Sequence, residues 1–337
     1  MPPAFEPMEA RAVEHLPEDE GWQFEPKWDG FRCLAVRDGD AVELRARSGK
    51  PLARYFPEML AALRELPVTR FVLDGELAVP QGDTLSFDAL QARLHPAESR
   101  IRRLSRETPS RLILFDCLSV DGAWIGDAPL RARRERLTEL FARFGDPPLL
   151  RLTPITHDRA EAEAWLDHLG AALDGVVAKR LDEPYQPGER AMLKVKNLRT
   201  ADCVVGGFRY GTGSGVVGSL LLGLYDAAGR LDHVGFTSAI PAAERAALTR
   251  RLEALIAPPG FTGDAPGGPS RWATARSAEW QPLRPELVAE VRYDHATGGR
   301  FRHGTTFLRW RPDKPPARCT KDQLQAEARP AVVMGED

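Results

Sequence analysis

The segment Glu25-Pro26-Lys27-Trp28-Asp29-Gly30 places a lysine between two carboxylates and ends in a glycine. A lysine amine is a nucleophile only when unprotonated, so a reactive lysine needs a lowered pKa, which neighbouring cations or a bound metal ion can supply. The segment follows the turn at Glu20-Gly21 and precedes an apolar run. We therefore expect Lys27 to lie on a tight, rigid connection. A K-x-D-G tetrapeptide is in most proteins a solvated surface turn, so these residues alone do not assign the chemistry.

Charged residues that suit phosphate chemistry recur later in the chain. Lys194 and Lys196 alternate in an apolar run. On a strand, both side chains would point to one face and could neutralise charge on a phosphate group. Glu76 and Asp174 lie beside other apolar runs. Because Mg²⁺ or Mn²⁺ suits a few carboxylates with retained waters, these two are candidate metal partners, although each alone could be a surface acid at a strand end.

The elements that must position these residues can be predicted from apolar spacing. Strand-like runs and amphipathic helices alternate up to about Leu198, which predicts a mixed domain of the α+β class over residues 1–199. The predicted strands are Cys33–Val36, Val42–Ala46, Phe71–Val79, Leu112–Leu118 and Gly175–Lys179. The predicted helices are Pro57–Leu66, Phe87–Leu94, Ala132–Phe144 and Arg159–Leu173.

The pattern changes after Thr200 to short apolar strands separated by glycine-rich turns. Five strands with one helix between them predict a small β-barrel of the OB type over residues 200–328, followed by a tail over residues 329–337. The predicted strands are Cys203–Arg209, Ser219–Tyr225, Leu231–Thr237, Leu287–Tyr293 and Thr306–Arg311, and the helix is Pro241–Ile256. The Pro- and Gly-rich segment Pro258–Pro269 predicts a surface loop.

The composition is that of an ordinary globular protein of 337 residues, 43% apolar and 28% charged. The sequence has no apolar run long enough to span a membrane and no signal-peptide pattern, so we expect a cytoplasmic location. The four cysteines are widely spaced, which indicates neither a zinc site nor a disulfide framework. With a net charge of −2, a nucleic-acid partner would have to bind a local basic face.

Six motifs, taken in order, make the chain resemble the covalent nucleotidyltransferases, the superfamily of ATP-dependent DNA ligases, RNA ligases and mRNA-capping enzymes. Lys27, Asp29 and Arg32 fall in a segment similar to the adenylation motif, whose lysine attacks the α-phosphate of ATP and becomes joined to AMP. Arg47 stands where these enzymes carry an arginine that grips the 5′-phosphate at a nick. The resemblance implies DNA contact for Arg32 as well.

The resemblance implies nucleotide and metal contacts for residues of the next motifs. Glu76 matches a glutamate near the ribose and the metal, and Phe115 matches an aromatic residue that stacks on adenine. Asp174 begins a segment similar to the metal-binding motif. The lysines implied in nucleotide binding are Lys179, Lys194 and Lys196, of which the last two match lysines that reach the α-phosphate.

The last motif and the residue two positions before Lys27 complete the implied site. Arg311, Asp313 and Lys314 resemble the R-x-D-K motif that the OB domain brings over the pyrophosphate. Glu25 stands where ligases accept a hydrogen bond from the adenine amino group. Guanine has a carbonyl there and would be repelled.

Nearly the whole chain, including Leu283–Arg318, is similar to the bacterial ATP-dependent DNA ligase C family. This implies a monomer that seals nicks in duplex DNA. Asp174 is a departure, because most DNA ligases carry a glutamate there, so contact with the metal either directly or through water stays open. An RNA ligase or a capping-type enzyme is the alternative reaction, and a noncatalytic nucleic-acid-binding module is the alternative of another class. The resemblance also implies a role in DNA repair.

Overall fold

The computed structural model describes residues 5–82, 84–168, 173–267 and 279–324. These residues form two compact units, unit 1 and unit 2, whose sequences meet at Asn197 and Leu198. None of the helices within these ranges is long and apolar enough to cross a membrane. The predicted α+β class is confirmed, with a mixed first unit and a β-rich second one.

Unit 1 contains twelve strands and five helices within the described ranges. The strands are β1 Ala10–Val13, β2 Trp22–Lys27, β3 Phe31–Asp38, β4 Ala41–Ala46, β5 Arg70–Ala78, β6 Pro80–Gln81, β7 Thr84–Leu85, β8 Arg111–Val120, β9 Ala123–Trp124, β10 Leu150–Leu152, β11 Gly175–Arg180 and β12 Met192–Lys196. The helices are α1 Pro57–Glu65, α2 Phe87–Ala92, α3 Glu98–Glu107, α4 Leu130–Phe144 and α5 Arg159–His168.

Two sheets build unit 1. The four-stranded sheet has the order β1-β12-β11-β2, and the larger sheet has the order β10-β8-β5-β3-β4 with β9 paired to β8. Strand β8 is buried over eight successive residues, as expected for a central strand covered on both faces. Helix α4 packs its apolar side, which includes Leu137, Leu140 and Phe144, into the main core. The chain crosses from the small sheet to the large one through Trp28–Gly30, directly after Lys27.

A buried ion pair connects helix α4 to strand β8. Arg133 donates through Nε and Nη2 to the two carboxylate oxygens of Asp116, at 2.9 and 3.0 Å. Its Nη1 donates to the backbone carbonyls of Ala128 and Glu183. Both charged side chains are almost fully buried. A cation in this position is tolerated because nearly every donor of the guanidinium has an acceptor.

Unit 2 forms a five-stranded antiparallel sheet of order β15-β14-β13-β17-β20. A parallel bridge between Thr237 and Thr305 joins its two edges, so the sheet curls into a closed barrel. The helix lies between the third and fourth barrel strands, and this arrangement confirms the OB-type prediction. The elements are β13 Arg199–Tyr210, β14 Val217–Tyr225, β15 Leu231–Thr237, α6 Ala242–Glu253, β16 Gln281–Pro282, β17 Val288–Tyr293, β18 Ala296–Thr297, β19 Arg300–Phe301 and β20 Thr306–Trp310.

The structure corrects the predicted elements at several points. Lys27 is the last residue of strand β2 and does not lie on a turn, because Trp22–Lys27 pairs along its length with β11. Helix α3 was not predicted, since its mainly charged sequence buries only Ile101. Helix α5 extends to His168, and residues 169–172 of its predicted length lie outside the described residues, whereas Leu173, its predicted end, is not helical. The end of the predicted loop and the predicted tail also lie outside them.

The buried pair Arg133–Asp116 generates a stability prediction. Arg133→Met should destabilise the protein by about 3–5 kcal/mol, because Asp116 would remain buried without its cation. The double variant Arg133→Met, Asp116→Asn should recover part of this loss, because it leaves no unpaired charge. Chemical denaturation followed by circular dichroism measures both free energies.

The matched control is Arg136→Met, which removes an exposed arginine from the same helix. Arg136 pairs with Glu139 at the surface. Its loss should change stability by less than about 0.5 kcal/mol. Equal losses of stability in Arg133→Met and Arg136→Met would show that the buried pair contributes no more to stability than an exposed pair.

Candidate active site

A cleft of about 810 Å³ in unit 1 brings many of the predicted residues together. Both sheets contribute to its walls, together with the N-terminal segment and the residues that follow β4. A volume of this size suits a nucleotide-sized ligand. Predicted site residues that line it are Glu25, Lys27, Arg32, Arg47, Glu76, Phe115, Lys179 and Lys194.

Lys27 is held at the end of β2 by the antiparallel pairing with β11, which sets it opposite Gly175. Gly175 has a φ of +141°, and a side chain there would collide with the Val195 carbonyl at 2.0 Å. A glycine is therefore required for Lys27, Gly175 and Lys196 to lie side by side across three strands. The Lys27 Nζ donates to Asp174 Oδ2 at 2.6 Å.

Strand β12 supplies the second group of cations. Its pairing with β11 places Lys196 opposite Gly175 and Lys194 opposite Val177. The two lysines are alternate residues of one strand, as predicted. Burial lowers the pKa of Lys194, and the positive charges of Lys27 and Lys196 lower it further. A phosphate group would offset this crowding of positive charge.

Glu76 lies across the cleft on strand β5. Burial raises the pKa of Glu76 to about 8, and the neighbouring Arg32 and Lys27 offset only part of that effect. No hydrogen bond or ion pair is seen for its side chain within the described part of the chain. Gly30 makes room for it, because a side chain there would meet the Leu77 carbonyl at 2.2 Å and the Glu76 side chain at 2.9 Å.

The donor set fits a divalent cation. Oxygens of Asp29 and Asp174 lie within 4.8 Å of each other. Glu76 is electrostatically coupled to Asp29 and Lys27, which places it in the same neighbourhood. Mg²⁺ and Mn²⁺ are typically bound by a few carboxylates together with water molecules. Asp29 thus joins Glu76 and Asp174 as a candidate metal partner, which the sequence interpretation did not assign to it.

Glu25 and Lys179 form a buried ion pair, with Nζ donating to Oε2 at 2.8 Å. Gln23 Nε2 donates to the other oxygen of Glu25 at 2.7 Å. Gln23 was not predicted, although its position two residues before Glu25 on the same strand places both side chains on one face. Both oxygens of Glu25 are therefore fixed in orientation, and each keeps a further lone pair for a ligand.

Phe115 lies on β8 with its ring in the cleft wall. The Arg32 guanidinium lies 4.5 Å from the ring centroid and the Lys179 Nζ lies 4.7 Å from it. Arg32 is held by Asp74, because Nε and Nη2 donate to the two carboxylate oxygens at 2.6 Å each. Asp74 is fully buried and was not assigned a role from sequence.

Arg47 follows strand β4 at the mouth of the cleft and has a largely exposed side chain. Its Nε lies 3.7 Å from a carboxylate oxygen of Glu9, a distance typical of a weak surface pair. This exposure leaves the guanidinium accessible to a large ligand.

Unit 2 carries the remaining predicted residues, Arg311, Asp313 and Lys314. Arg311 Nη1 donates to both oxygens of Asp202, at 3.0 and 3.1 Å, and Lys314 Nζ donates to Asp202 Oδ2 at 2.8 Å. Hydrogen bonds from Arg311 lower the pKa of Asp313 to about 2. Asp202 was missed from sequence, because nothing in the segment Thr200–Val204 singles it out.

Comparison with known proteins identifies the family. The pattern described as "ATP dependent DNA ligase domain" matches residues 7–196, and the "ATP dependent DNA ligase C terminal region" matches residues 213–314. The chain belongs to the ATP-dependent DNA ligase family. It is 46% identical to DNA ligase C2 of Mycolicibacterium smegmatis, over 96% of this ligase and 95% of that protein. It is 45% identical to DNA ligase C of Mycobacterium tuberculosis, over 100% and 97% of the two chains.

A solved structure supports the fold of this ligase. The structure titled "DNA binding with a minimal scaffold: Structure-function analysis of Lig E DNA ligases" superposes with a TM-score of 0.54. The match covers 90% of this chain and 100% of the other, at 17% sequence identity. Such low identity makes this a comparison of folds.

Phe115 provides a prediction that separates ligand binding from packing. Phe115→Ala should raise the ATP concentration needed for half-maximal reaction by about tenfold or more, because base stacking on an aromatic ring contributes about 1–3 kcal/mol. Phe115→Trp should keep most of the affinity. Titration with ATP measures this dependence.

Phe71→Ala is the control, because Phe71 is buried in the core of the same sheet. It should cost about 3–5 kcal/mol of stability without changing the ATP requirement. If Phe115→Ala behaves like Phe71→Ala, with a large drop in melting temperature and unchanged ATP dependence, then Phe115 is a core residue only.

Proposed function

We propose that this ligase seals nicks in duplex DNA with ATP, through an intermediate in which AMP is joined to Lys27. The observation that supports this best is the position of Lys27 in a nucleotide-sized cleft, with Lys194 and Arg32 available for phosphate and Glu76 for a metal. The high identity to proteins named DNA ligase C supports DNA as the substrate.

In the first step, the protonated Lys27 side chain leaves Asp174 and gives a proton to water, and the resulting amine attacks the α-phosphorus of ATP. A nitrogen–phosphorus bond forms as the bond to pyrophosphate breaks. Lys194 and Lys196 neutralise the charge that develops on the phosphoryl oxygens. A divalent ion held by Glu76, Asp174 and Asp29 would screen the repulsion between these carboxylates and the triphosphate.

Two further steps join the DNA. The 5′-phosphate at the nick attacks the lysyl-AMP phosphorus, which frees Lys27 and leaves AMP on the DNA end. The 3′-hydroxyl then attacks that 5′-phosphate, forms the phosphodiester and releases AMP. The exposed Arg47 holds the 5′-phosphate, because guanidinium groups bind phosphate oxygens with two parallel donors. Arg32, whose Nε and Nη2 bind Asp74, contributes through Nη1.

Glu25 selects ATP over GTP by accepting a hydrogen bond from the adenine amino group. Lys179 and Gln23 fix its two oxygens. A guanine carbonyl at the same place would meet an acceptor and lose a hydrogen bond, which costs about 1–3 kcal/mol for a buried group. This choice of base argues against a capping-type enzyme, and labelling with ATP and GTP side by side decides between them.

We further propose functional domains at residues 1–199 and 200–328, acting together in a monomer. Arg311 and Lys314 would stabilise pyrophosphate when unit 2 closes over bound ATP, with a hinge near Asn197–Ala201. A role in DNA repair is supported by 33% identity to the multifunctional non-homologous end joining DNA repair protein LigD of Mycobacterium tuberculosis. That match covers 89% of this chain and 37% of the longer protein.

The covalent intermediate is directly testable. Incubation with ATP labelled in the α-phosphate and Mg²⁺ should leave label that stays on the denatured wild-type protein at alkaline pH and is released by acid, as expected for a nitrogen–phosphorus bond, and none on Lys27→Ala. Lys50→Ala removes another lysine of the cleft wall and should be labelled normally. Equal labelling of Lys27→Ala and the wild type would exclude Lys27 as the attachment site. Wild-type protein should also seal a labelled nick in duplex DNA.

The R-x-D-K motif should act in the first step only, because pyrophosphate leaves only there. Arg311→Ala or Lys314→Ala should lose self-adenylation by about a hundredfold or more, as expected for removal of a group that stabilises developing charge. Sealing of a nick that already carries 5′-AMP should survive in both variants. Rapid-quench assays of the two steps measure the contrast.

Arg284→Ala is the matched control, since Arg284 is an exposed arginine of unit 2 that pairs with Glu286. Both steps should proceed normally in this variant. Normal self-adenylation by the two motif variants, or an equal loss of both steps, would contradict the first-step role.

A further inference from the structure

We propose that Tyr185 is a positioning residue for AMP transfer, because its hydroxyl closes a ring of hydrogen bonds that fixes Arg32 beside Phe115. The hydroxyl donates to Asp74 Oδ2 at 2.7 Å and accepts from the Met8 backbone N–H at 2.9 Å. Arg32 Nη2 donates to the same Asp74 oxygen at 2.6 Å and to the Met8 carbonyl at 3.3 Å. The ring therefore begins and ends at the backbone of Met8.

The residues of this ring of hydrogen bonds are buried, and their burial favours one set of partners. Asp74 is 0% exposed, Tyr185 is 4% and Met8 is 5%. Hydrogen bonds to a buried carboxylate are stronger than surface ones, and an unsatisfied buried oxygen is costly. Two donors from Arg32 and one from Tyr185 satisfy Asp74, so the guanidinium has one strongly preferred orientation.

The same hydroxyl connects the N-terminal segment to the cleft. Glu6 and Glu9 pair through their backbones with Gly188 and Glu189, and the Phe5 ring lies edge-on to Tyr185. Met8 and its neighbours form part of the cleft wall. Tyr185 thus fixes two parts of the nucleotide pocket at once, the wall and the arginine.

Removing the hydroxyl alone separates positioning from packing. Tyr185→Phe keeps the aromatic ring of the side chain, which packs on Phe5 and lies near the Arg133 guanidinium. Asp74 then loses its neutral donor, and the carboxylate, with Arg32 still bound to it, can shift relative to Phe115. This inference rests on the proposed function, because it assumes that Arg32 contacts the nucleotide during AMP transfer to Lys27.

The test is a double-mutant cycle between Tyr185→Phe and Arg32→Ala, read as the single-turnover rate of AMP transfer to Lys27 at saturating ATP. Tyr185→Phe should slow the wild-type reaction by about tenfold, as expected for loss of a hydrogen bond to a charged group. In the Arg32→Ala background, the same change should have less than about a twofold effect, since nothing remains to be positioned. Tyr210→Phe, which removes a hydroxyl of unit 2 that donates to Glu253, should leave the rate unchanged.

Equal slowing in both backgrounds would show that Tyr185 acts on the fold and would overturn the proposal, as would an unchanged rate for Tyr185→Phe. Melting curves establish that each variant is folded. If Tyr185→Phe does not fold, Asp74→Asn takes its place in the cycle, with the same two outcomes. Absence of label on the wild-type protein would instead reject the proposed function itself.

Discussion

The ion pair between Lys27 and Asp174 is the interaction on which the rest of the site depends. Their 2.6 Å contact holds the candidate nucleophile with a carboxylate that a metal ion would also need. The lysine can attack only after it leaves this partner and loses its proton. Asp174 is one of the residues that would hold a divalent ion, and such an ion would compete with Lys27 for this carboxylate.

Other charged side chains of unit 1 are also paired with groups of opposite charge. Buried carboxylates have their own cations, as Glu25 has Lys179, Asp74 has Arg32 and Asp116 has Arg133. Within the described residues, Glu76 is the exception in the cleft, and burial raises its pKa to about 8. An unpaired carboxyl group facing a phosphate site is costly unless a cation joins it. The divalent ion proposed for this site would supply that cation.

The sequence predicted elements well where one periodicity dominates, as in the barrel strands and in the alternation of Lys194 and Lys196. It failed for β2, where Glu25-Pro26-Lys27 has the composition of a turn and pairing with β11 decides the conformation. Residues that act through others, such as Asp74 and Tyr185, carry no local signal. Their importance arises from contacts between segments that are 111 residues apart in the chain.

In unit 2, cationic side chains are likewise paired with carboxylates. Arg311 and Lys314 share Asp202, and Arg311 also binds Asp313. These carboxylates give the two side chains a fixed starting position at the cost of neutralising them. A ligand must therefore compete with Asp202 and Asp313 for the same donors. A triphosphate, with its concentrated negative charge, can do so far better than a lysine-bound AMP, whose single phosphate has one negative oxygen. The competition itself would restrict the motif to the step in which pyrophosphate is present.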